Sequence, residues 1–308
     1  MPLLTSDAKG VFVISVTPFT EAGEIDFESL DRVVDFYFER GAHGLTILGM
    51  MGEAPKLTQA ESRAVAERVI KRAGDKPVVV GVSAPGLAAI GELGKAVMDM
   101  GAAGVMVTTP VALKTDPQIY GYFGQVARVL GDGVPICLQD FPLVTGVQIS
   151  DDVLGRIIDD IELVVMLKHE DWPGLAKITK LRKAEAEGRR RISVLCGNGG
   201  IFLPEEVARG ADGAMTGFGF PEMLTDVVRI AAAGDMDRAQ DLFDAYLPLV
   251  RYEQQPGAGL AVRKYVLAKR GAIASAALRT PGAPLDTLAA AEVDRLLARQ
   301  KNRLKELN

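Results

Sequence analysis

Cysteine and histidine are almost missing from this sequence. Cys137, Cys196, His43 and His169 are the only ones in 308 residues, so there is no disulfide framework and no His/Cys cluster with the spacing of a zinc site. Neither a metal-dependent nor a histidine-based mechanism is expected, and no cofactor is called for. Long apolar runs are missing too: none approaches the ~20 residues needed to cross a bilayer. The opening MPLLTSDAKG has neither the basic nor the apolar region of a signal peptide. Positive charge is not in excess. A formal net charge of -5 and a pI near 5.3 argue against nucleic acid or an anionic membrane as partner, because neither is drawn to a mildly acidic surface. The expectation is a cytoplasmic protein whose partner is a small molecule.

Short apolar runs, by contrast, recur. Val11 to Val16, Leu45 to Leu48, Val78 to Val82, Val105 to Val107, Ile136 to Leu138, Leu163 to Leu167, Ile192 to Leu195 and Ala211 to Met215 make eight. Most are preceded by amphipathic stretches. In FESLDRVVDFYFERGAHG, for example, Leu30, Val33, Val34 and Tyr37 fall on one helical face. The repeat of roughly thirty residues is that of a βα unit. Continuously apolar strands alternating with helices indicate a parallel sheet covered by helices, and eight units indicate an α/β chain closed into a (β/α)8 TIM barrel. The open, doubly wound alternative usually carries GxGxxG after its first strand, where this chain reads TPFTEAGE. From Pro221 onward the pattern is helical only. The expected organisation is a barrel over residues 1–222 with a C-terminal helical extension, 223–308, packed on it.

The stretch LVVMLKHED, Leu163 to Asp171, places a lysine directly after five apolar residues. Side chains alternate along a strand, so Met166, Lys168 and Glu170 share one face and Leu167 and His169 the other. If this sixth strand ends here, the first face opens into the barrel mouth, where such barrels carry their chemistry. Apolar neighbours would then disfavour the ammonium form of Lys168 and favour a free amine able to attack a ketone. The plainer reading is a lysine at a strand exit, its stem on apolar surface and its head in water. Glu170 alone reads as a solvated loop carboxylate. Together the two are more informative, since imine chemistry needs a separate group to move protons.

With these residues in view, the chain resembles the dihydrodipicolinate synthase/N-acetylneuraminate lyase family, class I Schiff-base lyases built on a (β/α)8 barrel. Thr17-Pro18-Phe19 is similar to the family's first-strand TPF. Gly49-Met50-Met51-Gly52-Glu53 is similar to its GTTGE carboxylate-binding turn, and Thr109-Pro110 follows the fourth strand as in the family. LQDFPLVTG, from Leu138 to Gly146, resembles YNVPGRTG, and Leu167-Lys168 occupies the place of the imine-forming lysine. Gly197-Asn198 stands where the family often has GDD, and GLAVRKYVLAKRG resembles its final helix pair. The departures matter as much. Gln139 replaces the proton-relaying tyrosine, and Val144 replaces the arginine that dihydrodipicolinate synthases use for the second substrate's carboxylate. Met50 and Met51 replace the hydroxyls of the turn, and Val111 and Ala112 the tyrosines after the fourth strand. No phenol is left for the usual relay. QDFPLVTG together with KHEDWPG is similar to the branch of 2-keto-3-deoxy-L-arabonate dehydratases.

The resemblance implies a 2-keto-3-deoxy sugar acid as substrate. Its carboxylate would rest on backbone N–H groups of Gly49, Met50 and Met51, with Gly197 and Met215 lining the pyruvyl end. Lys168 would form the imine, Glu170 would move protons, and Gln139 would orient without titrating. Dehydration is expected ahead of retro-aldol release of pyruvate, which needs the missing tyrosine. A non-catalytic sugar-acid binder is the alternative of another class. The family also implies a homo-oligomer, a tetramer of tight dimers.

Other features take plainer readings. The glycine-rich turns Gly197 to Gly200 and Gly217 to Phe220 follow strands seven and eight, where many barrels bind phosphate, but glycine also simply permits tight turns and close approach. Cys196 reads as a small buried residue, His169 as a hydrogen-bonded packing residue, and Trp172 as a pocket wall or a helix cap. The basic final helix reads as a solvated face.

Overall fold

The computed structural model describes residues 2–307. Each apolar run forms a strand: β1 (Gly10–Ile14), β2 (Gly44–Ile47), β3 (Val78–Gly81), β4 (Gly104–Thr108), β5 (Ile136–Asp140), β6 (Val164–His169), β7 (Ser193–Cys196) and β8 (Gly213–Ala214). All neighbours pair in parallel, and β8 pairs with β1, closing the barrel in sequence order. Between and after the strands lie α1 (Phe27–Glu39), α2 (Gln59–Ala73), α3 (Leu87–Asp99), α4 (Asp116–Leu130), the single turn α5 (Pro142–Thr145), α6 (Asp151–Asp160), α7 (Leu175–Ala186), α8 (Leu203–Ala208) and α9 (Pro221–Ala232). The chain is a TIM barrel, as its repeat predicts.

Local chemistry starts the helices where the sequence supplies caps. The Asp26 side chain accepts from Ser29 N, and Thr58 with Glu61 forms a reciprocal capping box. The stripe Leu30, Val33, Val34 and Tyr37 of α1 is buried. Strand alternation divides the core in two. Phe12, Ile14, Val79, Met106, Cys137, Met166, Leu195 and Met215 fill the barrel interior, while the outward strand residues pack with the helices. The helix ring is completed by α9, which packs on β1 and β8. The boundary expected after residue 222 therefore falls inside a helix joined to the barrel. Three helices follow, α10 (Met236–Glu253), α11 (Gly259–Lys269) and α12 (Thr287–Glu306). No described helix is long and apolar enough to cross a membrane.

Candidate active site

Strand geometry assembles the reactive groups. Lys168 is the fifth residue of β6, above the fully buried Met166 of the barrel interior. Parallel pairing sets Gln139 of β5 beside it, and Glu170 follows the strand end on the same side. Lys168 Nζ lies 2.9 Å from Glu170 Oε2, to which Gln139 Nε2 donates at 2.7 Å. Asn198 N donates to Glu170 Oε1 at 3.3 Å, and Asn198 Nδ2 donates to the Glu170 carbonyl at 3.1 Å. Gly197 lets the carboxylate lie this close, because a Cβ there would sit 2.1 Å from Glu170 Cγ. Lys168, Glu170 and Gln139 are only 6%, 5% and 4% exposed. One expectation is corrected: apolar neighbours alone do not surround the amine. Beyond the ring of Phe141, 5.9 Å away at its centroid, its near neighbour is a carboxylate. The three groups are buried, and an opposite charge is at hand.

These groups open on a cavity of roughly 330 Å³. Ile14, Met50, Met51, Phe141 and Val144 form part of its wall, and Thr216, Glu253, Gln254, Gln255 and Arg263 another part. No tyrosine lines it among the described residues. The turn bearing Met50 and Met51 is a 3₁₀ helix, Met50–Gly52, held from behind. Thr17 Oγ1 donates to Gly52 O at 2.7 Å. The buried Glu53, in the left-handed region at φ 56°, accepts from Lys264 Nζ at 2.6 Å, Lys56 Nζ at 2.8 Å and Arg279 N at 3.1 Å. The N–H groups that open such a turn have no acceptor within it.

Of the residues singled out from sequence, Lys168, Glu170, Gln139, Met50 and Met51 meet at this cavity. Gly49 caps the 3₁₀ turn, and Gly197 packs against Glu170. Met215 does not reach the wall. It points inward one layer below, its sulfur 3.7 Å from Cys137 Sγ, because the short β8 ends beneath the cavity floor. Sequence reasoning missed Arg263, Glu253 and Gln254, which come from the C-terminal helices and their connection. The adjacent cations of GLAVRKYVLAK, in a helix otherwise largely apolar, were the available signal. The glycine-rich turns serve the protein itself. Gly199 N donates to Thr216 Oγ1 at 2.8 Å and Gly219 N to Glu253 Oε2 at 3.4 Å, so these donors do not form a phosphate cradle.

A second charged cluster lies on the outward face of the same strands. Lys177 of α7 reaches Asp140 at 2.7 Å and Asp171 at 2.6 Å, and donates to Ile149 O at 2.9 Å. Burial pushes the Asp140 carboxyl up to about 6, against the pull of Lys177. Burial works against the Lys177 ammonium, but the two carboxylates outweigh it and lift the group above its ordinary value. His169, beside them, is buried with neither ring nitrogen hydrogen-bonded, which corrects the expectation of a hydrogen-bonded packing residue. Burial and the Lys177 charge hold its imidazole down to about 4, keeping it neutral. Further round, burial pushes Glu206 up to about 7 and the Cys196 thiol well above its ordinary value; Cys196 is fully buried, as expected of a small packing residue. Trp172 lies outside the cavity, its ring edge-on to Phe202 at 5.6 Å.

The fold is a TIM barrel with a buried lysine at the mouth of its sixth strand, and comparison gives the family to which it belongs. The model of the Dihydrodipicolinate synthetase family matches residues 7–300, and the chain belongs to that family as one of its lyases. It is 31% identical over 279 residues to an L-2-keto-3-deoxyarabonate dehydratase of Azospirillum brasilense, covering 89% of this chain and 88% of that protein. It is 32% identical over 299 residues to a 4-hydroxy-tetrahydrodipicolinate synthase of Thermomicrobium roseum, covering 94% and 93%. Among solved structures, a dihydrodipicolinate synthase from Rhodopseudomonas palustris superposes with a TM-score of 0.96 at 55% identity, over 97% of this chain and all of that one.

Proposed function

We propose that the protein dehydrates 2-keto-3-deoxy-L-arabonate to 2,5-dioxopentanoate through an imine on Lys168. One observation carries this reading: the group within reach of the Lys168 amine that can take and return a proton is Glu170, fixed by an amide that cannot titrate. The substrate carboxylate rests on the N–H groups of the Gly49–Met51 turn, and the amine attacks C2 with loss of water. The resulting iminium draws electrons from C3, and Glu170 takes the proton released there. The enamine then expels the C4 hydroxyl, which leaves as water on the proton Glu170 returns. Glu170, ionised again, takes a C5 proton and returns it to C3, which yields the enol of an aldehyde; transfer of the enol proton from O5 to C4 gives the aldehyde, and hydrolysis of the imine frees the product and the lysine. The net change is loss of one water.

Two features support dehydration over the family's other chemistries. Val144 lines the cavity and offers no charge to the carboxylate of a second substrate. The phenol that would deprotonate the C4 hydroxyl in a retro-aldol step is replaced by Gln139. Product analysis with 2-keto-3-deoxy-L-arabonate tests the reading. The expected product is 2,5-dioxopentanoate. Pyruvate with glycolaldehyde would identify an aldolase instead, and binding without any product a sugar-acid binder.

A further inference from the structure

Helix α11 buries two adjacent cations. Lys264 is 0% exposed and satisfied, with Glu53 Oε1 at 2.6 Å and Ala277 O at 2.9 Å. Arg263, 2% exposed, is not. Its Nε and Nη2 both lie 2.6 Å from a single oxygen, Glu253 Oε1 of α10, whose carboxyl is raised above its ordinary value by burial against the pull of Arg263. Nη1 has no hydrogen-bond partner. A buried guanidinium N–H left without an acceptor is costly, by roughly 1–3 kcal/mol or more for a charged group, and rare enough in folded proteins to need a reason.

The position supplies one. Arg263 stands in the wall of the cavity that holds Lys168 and Glu170, over the ends of β8 and β1. A Cβ on Gly217 would lie 2.4 Å from Nη1 and 2.8 Å from Ile14 O, and both Gly217 and Ile14 line the cavity. Glycine at 217 is what leaves room for the guanidinium there. The keto carbon belongs to Lys168 on β6 and the carboxylate to the turn after β2. Arg263 and Leu260 of α11, with Gln254 and Gln255 from the α10–α11 connection, wall the remaining side. Glu253 already balances its charge, so the free N–H suits a neutral oxygen better than a second carboxylate.

We infer that Arg263 is a substrate-binding residue that donates from Nη1 to a hydroxyl or aldehyde oxygen at the far end of the keto acid, beyond the imine carbon. The C-terminal helices then complete the substrate site and select a hydroxylated chain over a bare 2-oxo acid. This rests on the imine reading of Lys168. The test compares half-saturating concentrations for borohydride trapping with pyruvate, which has no distal oxygen, and with 2-keto-3-deoxy-L-arabonate. The proteins are the wild type, Arg263→Met, and the double variant Glu253→Met with Arg263→Met. The double variant leaves no unpaired buried carboxylate, so a loss confined to the single variant is a folding effect. The expected result in the double variant is a value for pyruvate within about twofold of wild type and a value for the sugar acid raised roughly 10- to 100-fold, the size of a hydrogen bond to a charged group. Equal loss for both ligands, or none for either, overturns the inference. Wild-type protein that traps neither ligand overturns the imine reading itself and the inference with it.

Discussion

Along Gln139-Asp140 and Lys168-His169-Glu170-Asp171, alternation deals similar groups to two sides of one barrel wall, and the sides differ in how completely their lysine is satisfied. Outward, Lys177 uses all three ammonium donors, on Asp140, Asp171 and the Ile149 carbonyl. Inward, Lys168 has a single ion-pair partner among the described residues, Glu170 at 2.9 Å, and borders a cavity. The same pairing of amine and carboxylate is thus a structural clamp on one face and an incompletely partnered amine on the other. Buried charge alone does not mark a reactive site; unfilled hydrogen-bonding capacity next to open volume does.

The contrast is broken most strongly at Glu170. Glu170→Gln keeps the size and the contact with Lys168 but cannot carry a proton, so turnover is expected to fall by about 10²–10⁴-fold while the imine still forms. Steady-state rates beside trapping yields check it, and a parallel loss of both would make Glu170 a structural residue. On the outward side the effect moves to stability. Lys177→Met strands two buried carboxylates and is expected to cost about 3–5 kcal/mol at neutral pH, read by denaturant titration, with Lys168 still trappable in the folded protein. The cost should shrink on acidification, as Asp140, its carboxyl already pushed up to about 6 by burial, gains a proton and loses the charge that needed a partner.

A smaller effect sharpens the comparison at Glu206, an outward carboxyl that no cation clamps. Its folded value near 7 exceeds its unfolded one, so the stability tied to the protonated form is complete below about 4.5 and lost as pH rises through about 7. Glu206→Gln should therefore exceed the wild type by on the order of 1–3 kcal/mol at pH 8 and match it near pH 4.5. Equal unfolding midpoints at both pH values would show that the carboxyl is not buried in solution.

How much of this was legible beforehand depended on range along the chain. Strand positions and the inward set Lys168 and Glu170 follow from local alternation, and Gln139 joins them because consecutive parallel strands pair in register at the same height. The family resemblance sets Met215 at the pyruvyl end of the substrate, but β8 is only two residues long, and the Met215 side chain packs in the barrel interior. Arg263 and Glu253 were out of reach for a different reason. They enter the cavity from helices beyond the barrel ring, and no strand or helix period reports how such an extension docks. The same holds for Lys264 on Glu53, a contact between residues 211 positions apart.

One covalent bond, between Lys168 and the keto carbon, is decisive. Protein incubated with pyruvate or a 2-keto-3-deoxy acid, reduced with borohydride and digested, should carry the keto acid's reduced adduct on the peptide containing Lys168, and Lys168→Ala should carry none. An adduct on another lysine, or none on the wild type with any of these acids, would contradict it.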